Sequence, residues 1–305
     1  MKVLLVGGFG FLGKRFIRKY SDSYELIIYG TENSVSRAKN LIEGKHTVVV
    51  KGSVEDGNVA AVIDAHKPDV VVHLAALTGL EKCEEKPNKA FGINVYGTLN
   101  VVMGCARANS KLIFVSSREV YGETLGQESS EDDKLIPNNI YGITKMIGEY
   151  LVIYGSQKYG IDYTILRPTN VYGPEGNCGI NKIVKAAVVE GRIEIFGGDQ
   201  ILNFIYVDDV IELIRMVLSD KRSSRQIFNV GSKDTLTMKQ FAEKLSKVMK
   251  KNITVEYYPK RQIETSFFNP SIEKLEKKIE FSPETDLEQG LGLTIKWQME
   301  HLNKS

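Results

Sequence analysis

The chain has 305 residues, of which 42% are hydrophobic and 26% are charged. A chain of this size can bury a sizeable core, either as one large domain or as one domain with a smaller lobe. The 40 Lys and Arg residues nearly balance the 38 Asp and Glu residues, so the formal net charge is +2. This balance excludes the general phosphate-neutralising surface that nucleic-acid binders need, and we expect no nucleic-acid partner.

Three cysteines at wide spacing, Cys83, Cys105 and Cys178, form neither a disulfide framework nor a metal-ligand pattern. They favour a reducing cytoplasm and a protein without a bound metal. No apolar stretch approaches membrane-spanning length, and Met1 leads directly into the apolar run 3–6 without a signal region. We therefore expect a cytoplasmic protein with no membrane partner.

Short β-branched runs alternate with longer amphipathic stretches through the first half of the chain, which is the pattern of a parallel sheet with crossover helices. Helical patterns begin near Phe11, Asn58, Lys89 and Tyr141. The predicted strands are 2–6, 25–29, 47–51, 69–73, 111–115 and 163–166. Because nearly all strand positions are apolar, helices must cover both sheet faces. The pattern predicts an α/β, Rossmann-type doubly wound parallel sheet within a dinucleotide-binding domain of residues 1–174.

The pattern changes after Pro174. The following segments are predicted as helix 179–190, strand 193–196, and helices 207–218, 236–249 and 284–299. They predict a smaller C-terminal α/β substrate lobe of residues 175–305 over the carboxyl ends of the strands, where open α/β sheets bind ligands. Within this part, residues 204–231 are predicted as a helix and a strand that return to the main sheet.

Three glycines, Gly7, Gly10 and Gly13, follow the first strand and open a helix. Glycines here allow a tight turn and a close approach of the backbone to a pyrophosphate, while the helix amino end supplies N–H groups and a positive dipole end. An ordinary strand-to-helix turn can show the same glycines. The position directly after a strand favours dinucleotide binding.

The second strand lacks the carboxylate that usually contacts the adenosine ribose about 20 residues after the glycines. Thr31 follows this strand, with Glu32 as the nearest carboxylate and Arg37 close behind. A missing carboxylate removes repulsion of a 2′-phosphate, and a guanidinium can bind one bidentately. A solvated charged loop explains the same residues equally well. The sequence therefore leaves the cofactor as NAD or NADP.

Tyr141 and Lys145 lie four residues apart on a predicted helix, so their side chains share one face. A nearby ammonium stabilises the phenolate form and makes the tyrosine a usable general base. Ser116 and Ser117 directly follow the strand 111–115, and a hydroxyl at the carboxyl end of a strand can meet this tyrosine over the cofactor. Together these residues predict a Ser-Tyr-Lys catalytic set.

With these motifs, the chain resembles the extended short-chain dehydrogenase/reductase family, in its nucleotide-sugar (UDP-glucose 4-epimerase-like) epimerase and dehydratase branch. The resemblance covers almost the whole length. Besides the glycine motif, it rests on the motifs 68–76 (PDVVVHLAA), 94–100 (NVYGTLN), 166–174 (LRPTNVYGP) and 203–209 (NFIYVDD), and on the segment 287–297.

The resemblance implies roles for individual residues. Tyr141 is then the acid/base, Lys145 binds the nicotinamide ribose, and Ser117 donates a hydrogen bond to the reacting sugar hydroxyl. The implied cofactor contacts are Gly7, Gly10, Phe11, Leu12, Gly13, Thr31, Arg37, Ser53, Val54, Leu74, Ala75, Ala76, Asn94, Tyr141, Lys145 and Pro168. The implied substrate contacts are Thr78, Ser117, Arg118, Asn170, Phe196 and Arg261. Asn94 could equally be a structural residue that ties neighbouring elements together. We expect His73 to be a buried histidine at a strand end rather than a catalytic residue.

One position departs from the family pattern. The family commonly has an arginine, a ligand of the nucleotide diphosphate, where this chain has Leu202. A charge-assisted contact worth on the order of 1.5–3 kcal/mol is therefore missing. Either Arg261 and Asn170 suffice, or the substrate binds differently.

The residues after Ser117 bear on the reaction. Members of this branch begin by oxidising a sugar carbon, and in the 4,6-dehydratases an Asp-Glu pair follows the hydroxyl residue. This chain has Arg118 and Glu119, so the Glu position is filled and the Asp position is not. A 4-epimerase needs neither acid.

We therefore predict an NAD(P)-dependent nucleotide-sugar 4-epimerase that acts through a transient 4-keto sugar, with a UDP-sugar as the favoured substrate. The alternative is a dehydratase or decarboxylase in which Glu119 is the catalytic base. A non-catalytic dinucleotide-binding regulator would have no need of Ser117, Tyr141 and Lys145. From the family we also expect a homodimer, paired through the helices that begin near Lys89 and Tyr141.

Overall fold

A computed structural model describes residues 1–37, 39–42, 47–124, 126–177 and 179–301, without the side chains of Arg37 and Lys39. Within these residues, no helix combines the length and the apolar character needed to cross a membrane.

The strands alternate with helices along the first half of the chain and become shorter in the second half. They are β1 (Lys2–Val6), β2 (Glu25–Gly30), β3 (Thr47–Lys51), β4 (Val70–His73), β5 (Lys111–Val115), β6 (Glu128–Ser129), β7 (Tyr163–Pro168), β8 (Asn170–Tyr172), β9 (Arg192–Phe196), β10 (Ile201–Tyr206), β11 (Gln226–Val230), β12 (Thr235–Thr237), β13 (Thr254–Tyr258) and β14 (Asn269–Pro270).

The helices vary widely in length, and α8 is the longest of those described. They are α1 (Phe11–Tyr20), α2 (Glu32–Arg37), α3 (Lys39–Ile42), α4 (Asn58–His66), α5 (Leu80–Glu85), α6 (Pro87–Phe91), α7 (Gly97–Ala108), α8 (Ile140–Tyr159), α9 (Ile180–Glu190), α10 (Val207–Ser219), α11 (Met238–Met249), α12 (Glu273–Ile279) and α13 (Leu287–His301). A π-helical segment, Gly92–Tyr96, joins α6 to α7.

Seven parallel strands form the main sheet in the order β11-β7-β5-β4-β1-β2-β3. The chain moves outward from β1 to β3, and then crosses back to β4 on the other side of β1. This reversal is the topological switch point at which such sheets bind ligands. The predicted doubly wound parallel sheet is confirmed.

Alternate strand residues pack on opposite faces of the sheet. Val3 and Leu5 join the core cluster that includes residues of α1 and α10. Leu4 and Val6 join the cluster that includes residues of α4 and α7. Because side chains alternate along a strand, two covered faces require apolar residues at nearly all positions.

The second half of the chain contributes both to the main sheet and to smaller sheets. β11 is an edge strand of the main sheet, and α10 packs against α1 and β5. The smaller sheets are β12-β10-β8, β13-β9 and β14-β6. This last sheet pairs a segment near residue 128 with one near residue 269, so the two halves of the chain interlock.

Two predicted helices begin later than expected. The helix predicted from residue 236 begins at Met238, because Thr235–Thr237 is a strand paired with β10 and Thr237 caps the helix through the N–H of Gln240. The helix predicted from residue 284 begins at Leu287. Strand pairing decided the first boundary, and a capping bond from the Gln289 N–H to Asp286 Oδ1 at 2.8 Å decided the second.

Candidate active site

The glycine-rich turn between β1 and α1 lies at the switch point of the sheet. Gly7 has a φ of +83°, a left-handed conformation that favours glycine, and its N–H donates to the Tyr29 carbonyl at 2.8 Å. A Cβ atom on Gly7 would lie 2.6 Å from the backbone nitrogen of Ala75. The turn therefore touches the loop after β4, and a side chain at residue 7 would force the two apart.

The amino end of α1 suits the pyrophosphate of a dinucleotide. Gly10 is its exposed N-cap residue, makes no side-chain cap, and is followed by a first turn without acidic residues. Backbone N–H groups and the positive end of the helix dipole are thus directed at the turn. Gly13 lies so close to Gly8 that a Cβ would be 2.3 Å from its carbonyl oxygen. Half-buried Phe11 and Leu12 complete this turn, and the residues present fit the cofactor.

The end of β2 carries the residues predicted for the adenosine ribose. Thr31 is exposed, and its carbonyl accepts a hydrogen bond from the Ser34 hydroxyl at 2.7 Å. The exposed Glu32 carboxylate pairs with Lys51 Nζ at 2.6 Å. The side chain of Arg37 lies outside the described residues. Its predicted role therefore stays a prediction.

Ser53 and Val54 follow β3 next to the same end of the sheet. The Tyr29 hydroxyl donates to the Ser53 carbonyl at 2.9 Å, and Asn100 Nδ2 donates to the Val54 carbonyl at 2.8 Å. These bonds hold the backbone of the segment in place, whatever its side chains contact.

Asn94 holds the loop that follows β4. Its Oδ1 accepts from the Leu77 N–H at 2.7 Å, and its Nδ2 donates to the Leu77 carbonyl at 3.1 Å and to Thr144 Oγ1 at 2.9 Å. Asn94 thus ties this loop to α8 through its whole amide group. Of the other residues predicted in the loop, Leu74, Ala75 and Ala76 are half-buried and Thr78 is exposed.

His73 at the end of β4 is fully buried, and its Nε2 lies 3.0 Å from Thr98 Oγ1. Burial, reinforced by the charge of Lys145, lowers the pKa of His73 to about 3. The ring therefore stays neutral at physiological pH and is no candidate for a general acid.

Ser117 begins the turn that follows β5. Its hydroxyl oxygen accepts a hydrogen bond from the Glu119 N–H at 3.2 Å and caps the 3₁₀ turn Arg118–Val120. Glu119 is buried: its Oε1 lies 2.8 Å from Arg118 Nη2, and its Oε2 accepts from Asn139 Nδ2 at 2.9 Å. Both carboxylate oxygens of Glu119 are therefore engaged.

The first turn of α8 lies against this serine turn. Asn139 is the N-cap of α8 and accepts from the Gly142 N–H at 2.8 Å. A Cβ atom on Gly142 would lie 2.3 Å from the carbonyl oxygen of Glu119. Glycine at this position brings Tyr141, which is half-buried beside Leu77, to the end of β5 that carries Ser117.

Lys145 is 3% exposed, and its ammonium lies 4.3 Å from the centroid of the Phe114 ring. Burial lowers the pKa of Lys145 to about 7, and the charge of Glu149 on the same helix face partly opposes this shift. Near neutral pH, the ammonium is therefore easily discharged.

A buried ion-pair network of Glu149 and Arg167 lies close to Lys145, and the sequence motifs do not predict it. Arg167 Nη2 donates to Glu149 Oε2 at 2.7 Å and Nε donates to Oε1 at 3.0 Å, while the Ser116 hydroxyl donates to the same Oε1 at 2.5 Å. Arg167 Nη1 also donates to the Tyr121 hydroxyl at 2.7 Å. The network joins β5, β7 and α8. Its sequence signal was Glu149, one helical turn after Lys145.

Two of the residues predicted for the nucleotide, Phe196 and Arg261, form a separate cluster with Tyr258. The ring of Phe196 stacks on Tyr258 with centroids 5.3 Å apart, and the Arg261 guanidinium carbon lies 3.5 Å from the centroid of Phe196. Arg261 Nη1 also lies 3.1 Å from Glu81 Oε1 and 3.7 Å from Glu264 Oε1. Because Glu81 belongs to α5, this cluster links residues 175–305 to the first half of the chain.

Asn170 and Leu202 lie on neighbouring strands. Asn170 Nδ2 donates to the Asn203 carbonyl at 2.9 Å. Leu202 is paired with Leu236 across β10 and β12 and packs on the core. Its apolar side chain thus serves packing where the family commonly has an arginine. Pro168 is buried at the end of β7.

Comparisons with known proteins agree with this geometry. Residues 3–231 match the model of a family described as the NAD dependent epimerase/dehydratase family. The chain is 28% identical to the UDP-N-acetyl-alpha-D-glucosaminuronate decarboxylase of Bacillus cytotoxicus, and 29% identical to a putative UDP-glucose 4-epimerase of Methanocaldococcus jannaschii, with 97% of both chains covered in each pair.

A solved structure is similar over the full length. It is the UDP-glucose 4-epimerase of Thermotoga maritima with UDP-glucose, at a TM-score of 0.89 and 26% identity, covering 99% of this chain and 100% of that one. The family model spans well over half of the chain, and the predicted family resemblance is confirmed. The chain therefore belongs to the NAD dependent epimerase/dehydratase family.

Proposed function

We propose that the protein is an NAD-dependent 4-epimerase of a nucleotide-activated sugar, with a UDP-sugar as substrate. The observation that carries this proposal is the junction of α8 with the turn after β5, which places Ser117 and the Tyr141-Lys145 pair at one end of the sheet. The glycine turn at the switch point supplies a cofactor site at the same end of the sheet.

The residues have the following roles in the proposal. A bound nicotinamide would supply the acceptor, and afterwards the donor, of the C4 hydride, which would return to the other face of C4. Ser117 holds the C4 hydroxyl, and Tyr141 takes its proton and returns it to the same oxygen after the keto sugar has rotated. Lys145 orients the cofactor ribose and supplies positive charge beside the phenol. Phe196, Arg261 and Asn170 hold the nucleotide while the keto sugar rotates.

The state of Glu119 favours epimerisation over elimination. A dehydratase needs a carboxylate that is free to remove the C5 proton, whereas both oxygens of Glu119 are held by Arg118 and Asn139. A dehydratase or decarboxylase remains the second candidate, because Glu119 lies in the turn directly after Ser117 and one relative is a decarboxylase.

The test is incubation with UDP-, GDP-, CDP- and dTDP-sugars in deuterated water, with product analysis by NMR. An epimerase product carries no solvent deuterium at its sugar carbons, because the migrating hydride stays on the cofactor. Deuterium at C5 would instead establish the dehydratase or decarboxylase. Recovery of every sugar unchanged, with the cofactor bound, would favour a non-catalytic regulator.

The cofactor proposal is NAD rather than NADP, as in the description of the family. Parallel titrations with the two dinucleotides, followed by protein fluorescence, test this choice. Tighter binding of NADP would reverse it, and would point to Arg37 as the 2′-phosphate ligand.

We further propose a cytoplasmic homodimer. Cys83 and Cys105 are free and buried, as suits a reducing compartment. Tyr96, Tyr150 and Tyr154 are exposed on the segment before α7 and on α8, and supply an apolar surface for pairing.

A further inference from the structure

The guanidinium of Arg118 identifies a class of sugar. We propose that Arg118 selects substrates with a carboxylate at C6, the nucleotide-activated uronic acids, by binding that carboxylate through its free Nη1. The inference rests on the proposed function and narrows the substrate of the same site.

Arg118 is 7% exposed and has one donor nitrogen without a partner. Its Nη2 lies 2.8 Å from Glu119 Oε1, and its guanidinium carbon lies 5.5 Å from the centroid of the Phe268 ring. Within the described part of the chain, Nη1 is buried and makes no hydrogen bond. A buried charged donor without an acceptor is unfavourable, so we infer that an acceptor arrives with the ligand.

The position of Arg118 relates this acceptor to the reacting carbon. Arg118 follows Ser117 in the chain, and Ser117 holds the C4 hydroxyl in the proposed reaction. In a hexopyranose, C6 is attached to C5, the ring neighbour of C4. With the C4 hydroxyl at Ser117, the inference places the C6 group beside Arg118, in the same turn.

Phe268 packs against the Arg118 guanidinium. It is fully buried and lies seven residues after Arg261, in the segment that carries the predicted nucleotide ligands. The Arg118 guanidinium thus joins the turn after Ser117 to the segment that contains Phe268.

The charge balance favours a carboxylate over a hydroxymethyl group. The Nη1 group is a cationic donor, so it attracts the negative charge of a carboxylate oxygen more strongly than the neutral oxygen of a hydroxymethyl group. Glu119 leaves Nη1 available, because its Oε1 pairs with Nη2 and its Oε2 accepts a hydrogen bond from Asn139.

The test compares UDP-glucuronate with UDP-glucose on the wild type and on Arg118→Met, which keeps apolar length and removes the donors. Arg118→Lys keeps a cation without the fork, and Arg192→Met, at an exposed site on β9, is the matched control. The wild type should prefer UDP-glucuronate. Arg118→Met should lose about ten- to a hundredfold more in kcat/KM for UDP-glucuronate than for UDP-glucose, mostly through KM.

Three outcomes separate the two proposals. A wild-type preference for UDP-glucose, or an unchanged ratio of the two sugars in both Arg118 variants, overturns the role of Arg118 and leaves the epimerase intact. If neither these two sugars nor any other sugar of the panel reacts, the proposed function fails, and calorimetric binding of the two sugars then decides the role of Arg118. If Arg118→Met does not fold, the wild-type preference and the ratio in Arg118→Lys decide that role instead.

Discussion

Tyr141 and Lys145 are one helical turn apart, yet their environments differ. Tyr141 is half-buried at the edge of the site, whereas Lys145 is enclosed between Phe114 and the helix. The phenol can therefore reach a substrate. The ammonium acts from beneath, where burial has already lowered its pKa to about 7.

Replacing Tyr141 by Phe should abolish turnover and leave the fold and cofactor binding nearly intact, because the change removes one hydroxyl. The loss should be about 10²–10⁴-fold, as for other positioned acid/base groups. Steady-state kinetics and a cofactor titration measure the two effects. Retention of more than about a tenth of wild-type turnover would contradict the assignment of Tyr141 as the acid/base.

The low pKa of Lys145 also predicts a pH-dependent stability. A folded-state pKa of about 7, against an ordinary 10.5, means that burial of the ammonium costs stability below pH 7. This cost falls as the pH rises from 7 to 10.5, because over this range the folded state releases the proton while the unfolded state still binds it. Each unit by which the pKa is lowered corresponds to about 1.4 kcal/mol. Lys145→Met should therefore be more stable than the wild type at low pH, with a gap that narrows towards pH 10.

Urea unfolding at several pH values measures this gap. The exposed Lys182 on α9 is the matched control, and Lys182→Met should show no pH-dependent gap. A gap for Lys145→Met that is constant from pH 6.5 to 10 would show that the ammonium is not discharged in the folded state.

At the scale of elements, α8 is held at both its first turn and its middle. Gly142 allows the first turn to contact the carbonyl of Glu119, and Glu149 anchors the middle to Arg167 on β7. These two contacts determine where the helix face that carries Tyr141 and Lys145 lies relative to β5.

Gly142→Ala should destabilise the protein by about 1–3 kcal/mol and lower kcat, because the added Cβ meets the Glu119 carbonyl and must displace the helix. The sign of the change in stability is informative, because alanine in place of glycine stabilises an isolated helix by about 1 kcal/mol. Gly292→Ala on α13, where the nearest atom would be 4.0 Å away, is the control. A stabilised and fully active Gly142→Ala would refute the contact.

Glu149→Gln should destabilise the fold by about 3–5 kcal/mol, because it leaves the buried Arg167 guanidinium without its counter-charge. Chemical denaturation measures the loss, and the exposed Glu243→Gln serves as the control. A loss no greater than that of the control would mean that the network contributes nothing to stability.

At the scale of the whole molecule, the second half of the chain does more than add a lobe. β11 extends the main sheet, β14 pairs with β6, and Arg261 contacts Glu81 on α5. Substrate groups can thus be held from both halves of the chain, over the end of the sheet where the cofactor turn lies.

The proposed homodimer predicts that one charge introduced on the exposed face of α8 separates the subunits. Tyr150 is 59% exposed on α8, and Tyr150→Asp should convert a dimer to a monomer by placing a charge in an apolar interface. Light scattering at micromolar concentration measures the mass. Leu293→Asp, which alters an exposed apolar residue on α13, should remain dimeric. A monomeric wild type would refute the assembly.

The sequence by itself determined the sheet and the glycine turn, and it predicted the Ser-Tyr-Lys set. These features are local: a strand buried on both faces must be apolar throughout, a turn at a phosphate needs glycine, and two residues four apart on a helix share a face. Strand boundaries at 2–6, 47–51 and 111–115 agree with the structure for this reason.

Only the tertiary structure decided how these parts meet. Three features depend on burial or on residues distant in sequence. They are the hydrogen bond of Glu119 to Asn139, the pairing of Glu149 with Arg167 and, among the described residues, the unpartnered Nη1 of Arg118. The late start of α11 has the same origin, because Thr235–Thr237 becomes a strand only once β10 is beside it. Periodicity reports which face of an element is buried, but the partner that covers it is set by packing.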